Sequence, residues 1–214
     1  LFDDEANILF DQDPATLKAT KFYEDGAKLG YLNPAGIGLS DYETLIEYGT
    51  GKTAFMLNST WSATQSMTNK ELSSVTEDSF AMLVPGNGEF LSDTYLYAGA
   101  FGILKSSENK DAAKAFIKFI TSDDAQKDHA LYGGNLPTRV ALFTDEDIAK
   151  SWKGYDVLSD QLNYGGFAPK IEWFDEWRMV APTAIQNVVK GEMTAEDALA
   201  WLAKETEQIK ADAE

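Results

Sequence analysis

The chain has 214 residues, with 18 Lys plus Arg against 35 Asp plus Glu, a formal net charge of −17 and a pI near 4.3. A surface this acidic repels phosphate backbones and anionic lipid, so nucleic acid is excluded as an expected partner. There is no Cys and only one His, which excludes a Cys/His zinc site, a thiol nucleophile and a disulfide framework, and no metal or cofactor is expected.

The hydrophobic fraction of 44% and the charged fraction of 25% are those of a folded domain. The longest apolar run, Tyr95 to Leu104, has ten residues including Gly99 and Gly102. That is half of the roughly 20 residues a membrane-spanning helix needs. The opening Leu1-Phe2-Asp3-Asp4-Glu5 has no basic or apolar leader pattern, so any targeting segment is expected to have been removed. Five Trp, nine Tyr and twelve Phe in an acidic chain suit either an aromatic core or a site gripping a neutral, amphipathic ligand.

Along the chain, Asp13-Pro14 predicts a helix over about 14–29, with Ala15, Ala19, Phe22 and Tyr23 at helical spacing and a stop at Gly30. Ser40-Asp41-Tyr42-Glu43 is a capping box that opens a second helix, ending near Gly49. Lys52 to Leu57 reads as a short strand, and Ser59 or Thr60 caps a helix containing Trp61. A second strand, Phe80 to Val84, runs into the turn Pro85-Gly86-Asn87-Gly88. Tyr95 to Leu104, apolar on both faces, is expected inside a covered parallel sheet.

Ala112, Ala113, Phe116, Ile117 and Ile120 mark an amphipathic helix, and Ser122 restarts another toward Tyr132. Gly133-Gly134-Asn135-Leu136-Pro137 breaks it. Helices are then predicted from Thr144, over Asp156 to Leu162, over Trp173 to Lys190, and after Thr194, the last carrying Ala198, Leu199, Leu202 and Ile209 inward. Strands alternating with helices give an α/β fold class.

Several short motifs have simpler readings. Gly51-Lys52-Thr53 resembles the end of a phosphate loop, but position 46 is Ile46 where that loop requires Gly. Asp11-Gln12-Asp13 starts like a calcium loop, but its sixth position is Thr16. Asn58-Ser59-Thr60 is a short glycosylation sequon. His129 lacks a nucleophile elbow and reads as a helix-surface or half-buried residue.

Glu172-Trp173-Phe174-Asp175-Glu176-Trp177-Arg178 places two Trp one helical turn apart beside acidic residues. Indole faces stack on the C–H faces of sugars while carboxylates and Arg bond their hydroxyls, so this is a candidate sugar site. The alternative is that the Trp pair is core and the acids its solvated side. The same carboxylates, Glu172, Asp175 and Glu176, would serve a glycoside hydrolase.

Six segments in order resemble the extracytoplasmic sugar-binding proteins of ABC transporters, the maltose-binding-protein-like solute-binding family. They are Gly51 to Trp61, Val84-Pro85-Gly86, Ala98 to Ile103, Asp111 to Ser122, Gly134 to Arg139, and Gly191 to Leu199. The resemblance implies a partial periplasmic-binding-protein type II fold, with most of the C-terminal lobe and one N-terminal-lobe segment. Residues 1–85 would be C-lobe, 86–136 an N-lobe segment, and 137–214 the helical part of the C-lobe. The Gly/Pro breaks would be hinge crossings.

The implied function is non-catalytic binding of a carbohydrate, expected to be an oligosaccharide, in an interlobe cleft. Delivery would be to the transmembrane permease subunits of an ABC importer. Carried over, the ligand-binding residues are Trp61, Tyr97, Gly99, Asn135, Arg139, Trp173 and Trp177. The resemblance further implies a periplasmic protein or a lipoprotein anchored at the cell surface, and a further partner in the missing N-terminal half or a second copy. A glycan-binding adhesion module is the remaining alternative.

Overall fold

A computed structural model describes residues 1–3, 5–86, 88, 91–97 and 99–213. Asn87 of the predicted turn and Ala98 of the predicted third strand lie outside the described residues.

In chain order the elements are α1 (Pro14–Lys28), α2 (Asp41–Gly49), α3 (Thr60–Thr68), β1 (Thr94–Tyr95), α4 (Lys110–Ile120), α5 (Asp123–Gly133), α6 (Glu146–Ser151), α7 (Tyr155–Asp160), β2 (Gly165–Gly166), α8 (Phe174–Lys190) and α9 (Ala195–Ala213). Short 3₁₀ turns span Pro34–Gly38, Val140–Thr144 and Gln161–Tyr164.

The helix starts follow their caps. Asp13 accepts from the amides of Ala15 and Thr16, Ser59 from Ser62, Ser122 from Ala125, and Asp145 from Asp147 and Ile148. At α2 the reciprocal bonds form in both directions, Glu43 N to Ser40 Oγ and Ser40 N to Glu43 Oε2. Gly134 and Gly191 end α5 and α8 in the left-handed conformation that glycine adopts without strain.

The chain divides into two compact units. Unit 1, residues 1–39 and 169–214, is helical: α8 packs on α9 and α1 on both. Its core gathers Phe10, Trp173, Trp177, Ala184, Val188, Ala198, Leu199 and Leu202, with Phe2 edge-on to both Trp rings at centroid distances of 5.4 and 5.2 Å.

The face of α1 differs from the sequence expectation. Ala15, Ala19, Phe22 and Tyr23 are exposed, while Thr20 and Gly26 are buried and Leu17 packs on the core. Small residues allow the close approach here: a Cβ at Gly26 would lie 3.1 Å from Leu32. The Thr20 hydroxyl is satisfied by the carbonyl of Thr16 at 2.9 Å.

Unit 2, residues 40–168, is built round Met67, Ala130, Leu142, Ile148, Trp152, Tyr155 and Leu158. Trp152 Nε1 donates to the buried carbonyl of Ala130 at 2.9 Å, tying α5 to the segment before α7.

The predicted strands are the main departure. Residues 52–57 and 80–84 form no ladder, and the third strand shrinks to the parallel pair β1–β2, Thr94 opposite Gly165 and Tyr95 opposite Gly166. Side chains expected inside a covered sheet, Tyr95, Tyr97, Phe101 and Leu104, are exposed. A ladder requires neighbours whatever the propensity of a run, and among the described residues only Gly165 and Gly166 supply one to these segments.

Candidate functional site

Trp61 lies in the first turn of α3, whose N-terminus Ser59 caps with its hydroxyl. Its indole is half-buried and stacks on Tyr42 of α2, with ring centroids 6.4 Å apart and 27° between planes. Asn58 Nδ2 donates to the carbonyl of Asp41 at 2.9 Å, which fixes the approach to α3 against the start of α2. The aromatic pair is therefore held from both helices, with part of each ring open to solvent.

Asn135 sits in the turn after α5, where its Nδ2 donates to the carbonyl of Gly133 at 3.2 Å. The neighbouring Gly134 is buried against α3: a Cβ there would lie 3.1 Å from Gln65 Nε2 and 3.4 Å from Thr64 Cγ2. Gln65 follows Trp61 by one helical turn and shares its face. The turn holding Asn135 is thus placed one turn along α3 from Trp61, and Ala63 and Leu136 pack on the same core cluster.

Arg139 is exposed and engaged at the α4–α5 junction. Its Nε donates to the carbonyl of Thr121 at 2.8 Å and lies 3.3 Å from Asp123 Oδ1. Beside it, Gln126 Oε1 accepts from both the amide and the hydroxyl of Thr138. These bonds brace the turn that carries Asn135. Tyr97 and Gly99 lie in the exposed segment after β1, Tyr97 being 81% exposed.

Trp173 and Trp177 lie in unit 1, at the start of α8, and are 7% and 8% exposed. Phe2, Phe10 and Phe174 surround Trp177 at centroid distances of 5.2, 6.1 and 5.4 Å. Trp177 Nε1 is buried without a hydrogen-bond partner among the described residues, a cost carried by an otherwise apolar cluster. Trp173 reaches the edge of an open groove of about 330 Å³ with Glu172, Glu176, Ile209 and Asp212.

The carboxylates around that Trp pair are exposed, and Asp175 Oδ1 accepts from Arg178 Nε at 2.6 Å. A general acid needs a carboxyl held protonated by burial or by a like charge. Glu172, Asp175 and Glu176 instead stand in solvent around the N-terminal end of α8. His129 is on the exposed side of α5. Among the described residues, no cluster of His, Asp and Glu has the geometry to hold a metal ion, and no helix is long and apolar enough to cross a membrane.

A strong charge cluster ties α5 to α6. Lys127 Nζ lies 2.7 Å from Asp147 and 2.9 Å from Asp145, and these bonds raise its pKa above the ordinary lysine range. The same Lys127 bond, with the amides that Asp145 caps, lowers the pKa of Asp145.

The model of the family described as bacterial extracellular solute-binding protein matches residues 2–155. The chain belongs to that family. Among solved structures it is similar to maltose-bound MalE3 of T. maritima, at 21% identity and a TM-score of 0.79, over 97% of this chain and 53% of that one. It is similar to the sugar-binding protein MalE of the phytopathogen Xanthomonas citri, at 22% identity and 0.78, over 100% and 53%. An ABC transporter solute-binding protein of Thermotoga lettingae TMO, bound with α-D-tagatose, matches at 24% identity and 0.76, over 98% and 52%.

The solute-binding chain thus adopts part of the α/β fold of these proteins and spans about half of their length. The family match indicates a solute-binding protein and no catalytic family.

Tyr42 and Gln65 are the residues that the sequence reading missed. Gln65 could have been found from its i+4 spacing to Trp61. Tyr42 carried no such signal, because its pairing with Trp61 is set by how α2 packs on α3.

Proposed function

We propose that this solute-binding protein is a non-catalytic carbohydrate receptor that takes an oligosaccharide in an interlobe cleft and delivers it to the permease subunits of an ABC importer. The observation that carries the reading is the half-open Trp61–Tyr42 pair, a pre-set aromatic platform with the Asn135 turn seated on the same helix. A ring fixed by its neighbours loses little rotamer freedom on stacking with a sugar. The matched proteins, one bound to maltose, one a sugar-binding protein and one bound to tagatose, support the ligand class.

In this reading Trp61 stacks on a pyranose face and Asn135 bonds its hydroxyls. Tyr97 and Gly99 border the ligand from the segment after β1, and Arg139 braces the Asn135 turn. Trp173 and Trp177 fix the start of α8 within unit 1 rather than offering open ring faces. Residues 1–85 and 137–214 belong to the C-lobe and 86–136 cross to the N-lobe. The protein works outside the cytoplasm, in the periplasm or as a lipoprotein at the cell surface.

Isothermal calorimetry on the product of the complete gene, against maltose, maltotriose, longer glucans and free monosaccharides, tests it. Saturable binding of a di- or oligosaccharide is expected, without release of shorter sugars on prolonged incubation. Silence across the sugars together with binding of amino acids or peptides would overturn the ligand class.

A further inference from the structure

Gln65 is half-buried on the Trp61 face of α3, and its side-chain amide is held in one orientation. The backbone N–H of Glu71 donates to Asn69 Oδ1 at 3.0 Å, and Asn69 Nδ2 donates to Gln65 Oε1 at 2.9 Å. A backbone N–H can only donate, so the Asn69 atom it meets is the oxygen, and the atom turned toward Gln65 is the nitrogen. The Gln65 atom that faces Asn69 is then its oxygen. One backbone donor thereby fixes two amides in series, and Gln65 presents Nε2 away from Asn69.

That nitrogen makes no hydrogen bond among the described residues and is not sealed from solvent. It stands beside the Asn135 turn, since a Cβ at Gly134 would lie 3.1 Å from it. Asn135 is oriented in the opposite sense: its Nδ2 donates to the carbonyl of Gly133 at 3.2 Å, which leaves Oδ1 to accept. The half-open Trp61 ring is thus accompanied by a donor one turn along the same helix and by an acceptor on the adjoining turn. A pair of neighbouring sugar hydroxyls, one accepting and one donating, matches that arrangement.

We propose that Gln65 is a further ligand-binding residue of this site, donating through Nε2 to an oxygen of the sugar stacked on Trp61, and that Asn69 is the positioning residue that keeps this donor turned toward the ligand. Both roles rest on the receptor reading and add a polar selector to it. A sugar reaching one turn along α3 from Trp61, about 5.4 Å, meets Gln65. A ligand with no acceptor at that point is rejected, because the Nε2 donor would lose water and gain no partner.

Calorimetry on the product of the complete gene tests both roles, with maltose, maltotriose and tagatose as probes and the tightest of them carried through the variants. Gln65→Met keeps a straight-chain helix former and removes the amide. Affinity should fall about tenfold, the scale of one hydrogen bond, with the melting temperature little changed. Asn69→Asp keeps the acceptor for the Glu71 amide and replaces the donor by a second acceptor, so the Gln65 amide turns its Nε2 to the carboxylate. Affinity should fall by a similar factor in the parent background, and no further in Gln65→Met, where no amide remains to be turned. In the parent labelled with nitrogen-15, the Gln65 side-chain amide signals should shift on addition of the sugar.

A Gln65→Met variant that binds within about twofold of the parent, or Gln65 amide signals that stay in place, would overturn the contact. A loss from Asn69→Asp that repeats undiminished in the Gln65→Met background would overturn the positioning role. Asn69 would then act through the turn it closes, where its carbonyl accepts from the amides of Leu72 and Ser73. A parent that binds none of the sugars would overturn the receptor reading and this contact with it, whereas a parent that binds and variants that bind equally well sink the contact alone.

Discussion

Helices α8 and α4 both carry apolar residues at helical spacing, and they end in opposite surroundings. Helix α8 buries Trp177, Ala184 and Val188 against α1 and α9, whereas α4 buries no residue fully. Periodicity was equally visible in both. It reports the capacity of a face to be covered, and whether the cover exists depends on residues remote in sequence. In unit 1 those residues, Phe2, Phe10, Leu199 and Leu202, are present. Phe116 and Phe119 of α4 stay exposed among the described residues.

The sharpest way to break the comparison is Trp177→Ala. Removing a large ring from the unit 1 core should cost about 3–5 kcal/mol of stability. Urea denaturation followed by far-ultraviolet circular dichroism would read it as a fall in midpoint. A near-unchanged midpoint accompanied by lost sugar affinity would make Trp177 a ligand residue and dissolve the contrast between the two helices.

Trp61→Ala should act the other way round. The ring is half-open, so its loss should weaken sugar affinity by about 1–3 kcal/mol, the scale of burying one large apolar side chain. The unfolding midpoint should move much less than for Trp177→Ala. Tyr42→Ala tests the platform: it removes no proposed ligand contact of the indole's outer face, so a loss of affinity there would show that the stack pre-sets Trp61. If Trp61→Ala binds sugar as the parent does, the aromatic pair is a structural tie between α2 and α3.

The helices were legible because their signals are local. Asp13-Pro14, the Ser40/Glu43 box, Ser59, Ser122 and Asp145 are each satisfied by amides two or three residues away. The three strands were legible only as extended apolar runs, since pairing is a property of partners and the β1–β2 bridge joins residues far apart in the chain. Of the candidate site, Trp61 and the Asn135 turn could be nominated from sequence, whereas the bonds that Arg139 makes at the α4–α5 junction depend on packing that no local signal announces. The Trp173/Trp177 pair read equally well as core or platform, and the decision came from Phe2 and Phe10 at the other end of the chain. The buried side of α1 was misread because Thr20 and Gly26, not the larger Phe22 and Tyr23, meet the core.

Within unit 2, Val84 and Ser92 make a second contrast with the exposed Tyr97 and Phe101, as a side chain from elsewhere in the unit holds only the first two. Gln161 Oε1 accepts from the amide of Val84 at 2.8 Å, and Gln161 Nε2 donates to Ser92 Oγ at 3.0 Å. One side chain thus bonds both Val84 and Ser92, and Gly86 N donates to the carbonyl of Leu91 at 3.0 Å. Gln161→Ala should cost about 1 kcal/mol and speed exchange of the Val84 amide severalfold. Exchange there as slow as in the parent would show that the segment is held by something other than Gln161.

The smallest effect separates charge from capping at the α5–α6 tie. Asp145 caps α6 through two backbone amides and also binds Lys127, which lowers its pKa below the ordinary value near 3.8. A carboxyl with a depressed folded pKa contributes stability above its unfolded pKa, and the contribution is lost as pH falls through the folded value. The relevant window is therefore pH 4 and below. Lys127 has the opposite sign: its raised pKa adds stability at all pH below the unfolded lysine value, and that is lost only at strongly alkaline pH. Asp145→Asn keeps an acceptor for the cap, since Asn caps as well as Asp, and removes the charge that Lys127 binds. The variant should be only slightly less stable than the parent at pH 7, with the gap closing as pH is lowered through 4. Parallel stability curves from pH 7 to 3 would mean that Lys127 draws its stabilisation from Asp147 alone, and that Asp145 serves α6 only as its cap.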